Sequence, residues 1–131
     1  MIIVLAEVER STNIVMENRS VYSLSFLEKN KDIFNSIKDG KKKIETRAGK
    51  SEYSKIKSGD VIELSCGEEN FLKTVGKAFQ LKSLESLFEK YKPEEIIPGI
   101  FSYEKIKEIY LSFPNYEKRI KENGIFVFEL E

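Results

Sequence analysis

The chain changes hydrophobic period several times along its length, and those changes mark its elements. Ile2 to Val8 is rich in β-branched residues and reads as a strand, with Ser11-Thr12-Asn13 as a turn and Ile14-Val15-Met16 as a return strand. Asn18-Arg19-Ser20 turns again into Val21 to Phe26, where Val21, Ser23 and Ser25 alternate with Tyr22, Leu24 and Phe26. From about Asn30 to Asp39 the period becomes helical: Ile33, Phe34 and Ile37 share one face, and Gly40 stands where a helix-ending residue with positive φ is usual. Lys42 to Arg47 reads as a strand and Ala48 to Lys57 as a polar, irregular loop. Ser58-Gly59-Asp60 launches a strand over Val61 to Cys66. Gly67 to Asn70 then makes a hairpin loop, and Phe71 to Leu81 returns with Gly76 as a bulge.

The second half is mostly helical. Ser83 is placed to cap a helix running to Tyr91, Pro93-Glu94-Glu95 suits the first turn of a short helix, and Pro98-Gly99 breaks it. Ser102 opens a helix with Ile106, Ile109, Tyr110 and Phe113 on its apolar stripe, Asn115 restarts a helix after Pro114, and Gly124 closes that one. Ile125 to Leu130 is apolar on both faces and reads as a central strand. The sum is one α+β domain over residues 1–131: a mixed, mostly antiparallel sheet curled into a small β-barrel, with helices inserted between strands.

Charge sharpens this picture at one place. The 22 basic and 22 acidic side chains cancel over 131 residues, so the molecule as a whole does not recruit a polyanion or a membrane. Between Lys38 and Lys57, however, eight basic residues (38, 41, 42, 43, 47, 50, 55, 57) face only Asp39, Glu45 and Glu52, the footprint expected of a phosphate-binding surface. Histidine is absent, which removes imidazole-based metal sites and nucleophile pairs and leaves acid–base work to Lys, Glu, Asp or Tyr. Cys66 is the only cysteine and falls on the apolar face of its strand, as a small buried residue does, and a reducing, cytoplasmic setting is expected. The apolar run at Ile2 to Ala6 is too short for a signal peptide or a spanning helix.

The densest chemistry lies in Gly40-Lys-Lys-Lys-Ile-Glu-Thr-Arg47. Strand alternation sends Lys43, Glu45 and Arg47 to one side and Ile44 and Thr46 to the other, so Glu45 is expected on a polar face between cations. Spacing alone does not assign Lys42 to either face. A solvated edge strand, guarded by lysines against edge-to-edge pairing, is the competing reading of the same residues.

Phe34-x-x-Ile37-x-x-Gly40-x-Lys42-Lys43-Ile44-Glu45-Thr46-Arg47, followed by Tyr53-x-x-Ile56-x-x-Gly59-Asp60-x-Ile62, resembles the opening of ASCH domains. Phe113-Pro114-x-Tyr116 and Gly124-Ile125 before a terminal strand resemble that family's end. The resemblance covers about residues 21–131, leaving 1–20 as an N-terminal β extension. It implies a PUA-like β-barrel whose cleft is lined by the Lys42-x-x-Glu45-x-Arg47 motif, and recognition of RNA or a modified nucleoside. One branch of the family removes the acetyl group of N4-acetylcytidine with a Lys, a Thr and a Glu. Lys42 matches the lysine, Glu45 stands where that branch has its threonine, and Glu95 aligns with the glutamate.

Three functions follow. In the first, a module binds single-stranded RNA or a modified nucleotide: Lys42, Lys43, Arg47, Lys50 and Lys55 meet phosphates, Tyr53 offers a stacking surface, and Glu45 orients Arg47 or accepts a base amino group. In the second, a nucleoside or RNA hydrolase uses Lys42 with Glu45 or Glu95. In the third, the charges only keep a partner-binding fold soluble. None calls for a cofactor or a membrane, and a monomer is the default.

Overall fold

The computed structural model describes residues 5–16 and 19–131, with side-chain surroundings from residue 20 onward. Six strands, β1 (Leu5–Met16), β2 (Arg19–Phe26), β3 (Ile44–Ala48), β4 (Val61–Cys66), β5 (Glu69–Leu81) and β6 (Ile125–Leu130), form one sheet in the order β1-β2-β4-β5-β6-β3. Among the described residues, only the β2–β4 pairing is parallel. Helix α1 (Lys31–Lys38) lies between β2 and β3 in the chain; α2 (Leu84–Lys90), α3 (Pro93–Ile96), α4 (Tyr103–Leu111) and α5 (Tyr116–Asn123) lie between β5 and β6.

The sheet curls. Arg47 Nη2 in β3 donates to the Ser25 carbonyl of β2 at 3.5 Å, and its guanidinium lies 5.1 Å from the Phe26 ring centre, although β4, β5 and β6 separate those strands in sheet order. A side chain spans that gap only if the sheet bends back on itself, which gives a barrel-like α+β fold. The core is the set of apolar side chains that the periodicities place inward, among them Leu24, Phe34, Ile37, Ile62, Leu64, Ile106 and Phe128, all fully buried.

Most boundaries have local causes. Ser83 Oγ accepts from Ser86 N at 3.1 Å and Ser102 Oγ from Lys105 N at 3.3 Å, starting α2 and α4. Gly40, at φ 80°, follows α1. Gly124, at φ 70°, takes α5 into β6 so tightly that a Cβ there would stand 2.0 Å from the Leu81 carbonyl oxygen. Central β6 is paired on both edges, and its apolar sides are buried as its composition requires.

Two expectations are corrected. Ser11-Thr12-Asn13 is not a turn: β1 runs through it, and the polar stretch shows instead as register shifts against β2 between Val8 and Ser11 and between Ser11 and Val15. The strand expected over Lys42–Arg47 begins at Ile44 and ends at Ala48. Lys42 stays outside the ladder because its N–H is spent on the Ser36 carbonyl at 3.0 Å. Residues 1–4, at the start of the expected first strand, and Asn18, in the expected second turn, lie outside the described residues.

Candidate functional site

β3 is buried over its whole length, polar residues included. α3 and α5, which lie far along the chain, both contact the strand, and on the side that alternation gives to solvent Arg47 reaches across the curled sheet to Ser25 and Phe26 of β2. Glu45 and Arg47 therefore keep the shared side predicted for them but meet each other inside the protein, each about 1% exposed. Arg47 Nε and Nη2 both donate to Glu45 Oε2, at 3.1 and 3.0 Å, and Glu45 Oε1 accepts from Thr46 N at 3.2 Å.

The third member of the cluster is Lys42, not Lys43. Lys42 is 3% exposed; its Nζ donates to the Ile44 carbonyl and lies 3.6 Å from Glu45 Oε1. Lys43 points to solvent, since it precedes the covered strand. Burial holds the Lys42 ammonium below its ordinary pKa, with Arg47 adding to that effect and Glu45 opposing it. The cluster holds two cations and one carboxylate, and Arg47 Nη1 is buried without a hydrogen-bond partner.

Beside Lys42 and Glu45 is a cavity of about 10 Å³, room for about one water molecule. Thr46 and Tyr110 complete its polar lining, and Ile33, Ile96 and Ile97 roof it. The Thr46 and Tyr110 hydroxyls are hydrogen-bonded to each other. Burial pushes the Tyr110 phenol well above its ordinary range, so it is a neutral donor or acceptor. Neither residue is legible as part of a site from sequence. Alternation turns Thr46 away from Glu45, and Tyr110 falls in an apolar helical stripe; their meeting depends on how α4 docks.

The remaining predicted residues lie elsewhere. Arg47 and Lys42 are enclosed, so they are corrected from surface phosphate contacts to interior groups. Tyr53 is not an open stacking surface: it is 1% exposed and packs edge-to-face on Phe126 at 5.7 Å, because a 3₁₀ turn (Ser51–Lys55) folds it inward from an otherwise polar loop. Lys50 lines an open groove of about 520 Å³ with Glu52, Lys118, Arg119 and Glu122, away from the Lys42 cavity, and Lys55 is exposed. Glu95 is exposed on α3, where its Oε1 accepts from Lys92 N at 2.8 Å, and it is absent from the cavity lining. That bond fixes Glu95 as a helix-start acid. Cys66 is buried, as expected, with Sγ 3.3 Å from Glu28 Oε2.

No protein-family model and no curated protein matches the chain. Among solved structures, it is similar to the crystal structure of hypothetical protein PH0355, with 32% identity, a TM-score of 0.67, and 76% of this chain and 90% of that one covered. It is also similar to the solution structure of protein PF0455 from Pyrococcus furiosus, with 27% identity, a TM-score of 0.62, and 83% and 96% covered.

Proposed function

The chain belongs to the same family as hypothetical protein PH0355; from its own residues we propose that it is an ASCH-type, PUA-like module that binds single-stranded RNA or a modified nucleotide through Lys42, Glu45 and Arg47. The observation that carries this reading is the joint burial of those three charged groups, two of which, Lys42 and Glu45, line a cavity. Enclosing charge costs desolvation that apolar side chains would not incur, so a cluster with excess positive charge is a poor device for stability. Such clusters gather at functional sites. Glu45 suits a base's exocyclic amine and Lys42 a ring nitrogen or carbonyl, the pattern of a nucleobase edge.

A base enters only if a wall of the cavity moves, since the space holds about one water. Ile33 and Tyr110 stand on helices of eight and nine residues. Ile96 and Ile97 stand on or beside a single turn of four residues, bounded by Pro93 and by Pro98-Gly99. The α3 turn is the shortest of these walls.

A second reading, hydrolysis of an acylated nucleoside, is favoured by the lowered Lys42 pKa and by the Thr46 hydroxyl in the same cavity. It would use Lys42 with Glu45, since the Glu95 carboxylate is engaged at its own helix start. One experiment separates the two: the protein is mixed with a short single-stranded RNA and with N4-acetylcytidine, and binding and acetate are followed together. Binding without acetate is expected, weakened by about 1–3 kcal/mol in Glu45→Gln. Acetate release that drops about a hundredfold in Lys42→Met would establish the hydrolase instead. Neither binding nor acetate would sink both.

A further inference from the structure

Phe101 is 76% exposed, while the other exposed large apolar side chains among the described residues, Leu27, Leu72, Tyr103 and Leu111, lie between 39% and 47%. The backbone that presents it is fixed on both sides. Ile100 N donates to the Ile97 carbonyl at 3.1 Å, and Ser102 Oγ caps α4 through Lys105 N. The ring is thus held out from a pinned loop. Among the described residues it has no aromatic partner, in contrast to Tyr103, whose ring lies 4.7 Å from Phe88 and whose hydroxyl donates to the Tyr91 carbonyl.

The surroundings select the partner. Ser102, Glu104 and Lys105 are polar and exposed, and of the neighbouring apolar residues Ile100 is half-buried and the Tyr103 ring is turned onto Phe88, which leaves Phe101 as the open ring of this loop. One flat, rigid, accessible ring matches one nucleobase, because every base has a π-face and stacking needs no hydrogen-bond code. The loop also begins at the cavity roof. Ile97 covers Lys42 and Glu45, and Phe101 follows four residues later, past a turn closed by the Ile100 N to Ile97 carbonyl bond, so it lies within roughly 13 Å of Ile97 along the chain.

We propose that Phe101 is a base-stacking contact, taking a nucleobase that flanks the one read by Lys42 and Glu45. This rests on the functional reading above and adds to it the aromatic platform that Tyr53 does not supply. Since the chain contains no tryptophan, Phe101→Trp introduces a unique fluorophore at the contact. Titration with a short oligouridylate should quench the indole emission, whereas inorganic polyphosphate, which has no bases, should leave it unchanged. Phe101→Ala should weaken oligouridylate binding about tenfold and Phe101→Tyr should restore it, with the salt dependence of binding the same in all three because no phosphate contact is lost. An oligouridylate affinity in Phe101→Ala equal to that of the wild type would overturn the proposal while leaving the functional reading intact. No binding of RNA by the wild type would overturn both. Circular dichroism of Phe101→Ala checks folding, which loss of an exposed ring should not disturb.

Discussion

Lys42 is where residue chemistry and fold meet most directly. Its ammonium is enclosed, and burial lowers its pKa from an ordinary 10.5. The sign of the consequence follows from which state holds the proton. Between the lowered folded pKa and 10.5 the unfolded chain binds more protons than the native one, so this residue's share of stability improves as pH rises through that window. Below the window the cost of a buried charge is present in full. The melting temperature of the wild type relative to Lys42→Met should therefore rise as pH is taken from about 7 toward 10. Tyr110 and Tyr116, also buried, are common to both proteins and cancel in the difference. A difference that stays flat across that range would show that the amine is solvated.

Elements differ in how much of them the sequence discloses. β6 is readable because it lies between two neighbours and carries apolar residues on both faces, so its composition already states its position. The caps at Ser83 and Ser102 and the stop at Gly40 are readable because each is settled within a turn of chain. β3 is not. Its polar residues predict a wet face, and what encloses the strand comes from far along the chain: the curl that brings Arg47 onto Ser25 and Phe26 of β2, and the contacts of α3 and α5, about fifty and seventy residues downstream. Tyr53 and Thr46 mislead for the same reason, since the partners that bury them, Phe126 and Tyr110, come from later elements. The α5–β6 junction gives a sharp test of how rigid these late elements are. Gly124 and Gly59 both have positive φ, but a Cβ at Gly59 meets nothing within 4 Å, whereas at Gly124 it meets a backbone oxygen that cannot rotate away. Gly59→Ala should cost about 1–2 kcal/mol, the backbone strain alone. Gly124→Ala should cost a further 1–3 kcal/mol or so by chemical denaturation, because β5 or α5 must shift. Equal losses would mean that the junction yields freely.

At the scale of the whole molecule, neutrality conceals a division of labour among the cations. The 22 positive and 22 negative charges cancel. Two of the eight cations in the Lys38–Lys57 window, Lys42 and Arg47, are committed inside, which leaves Lys38, Lys41, Lys43, Lys55 and Lys57 exposed and Lys50 on its own groove to meet a phosphate backbone. Buried and exposed cations should then respond differently to salt. Phosphate contacts release counterions, so if about three phosphates are neutralised, affinity for a short single-stranded RNA should fall about tenfold or more between roughly 50 and 200 mM salt. Lys50→Glu with Lys55→Glu should weaken binding to all sequences alike and flatten that dependence, because phosphate contacts carry no base information. Lys42→Met should weaken binding while leaving the slope of log affinity against log salt unchanged, since its ammonium is enclosed with Glu45 and faces a base edge in this reading. Measuring the slope for the three proteins by fluorescence anisotropy decides the matter. A slope that drops equally in Lys42→Met and in the surface double variant would mean that Lys42 reaches phosphate, and the assignment of an inner base site and an outer phosphate track would be lost.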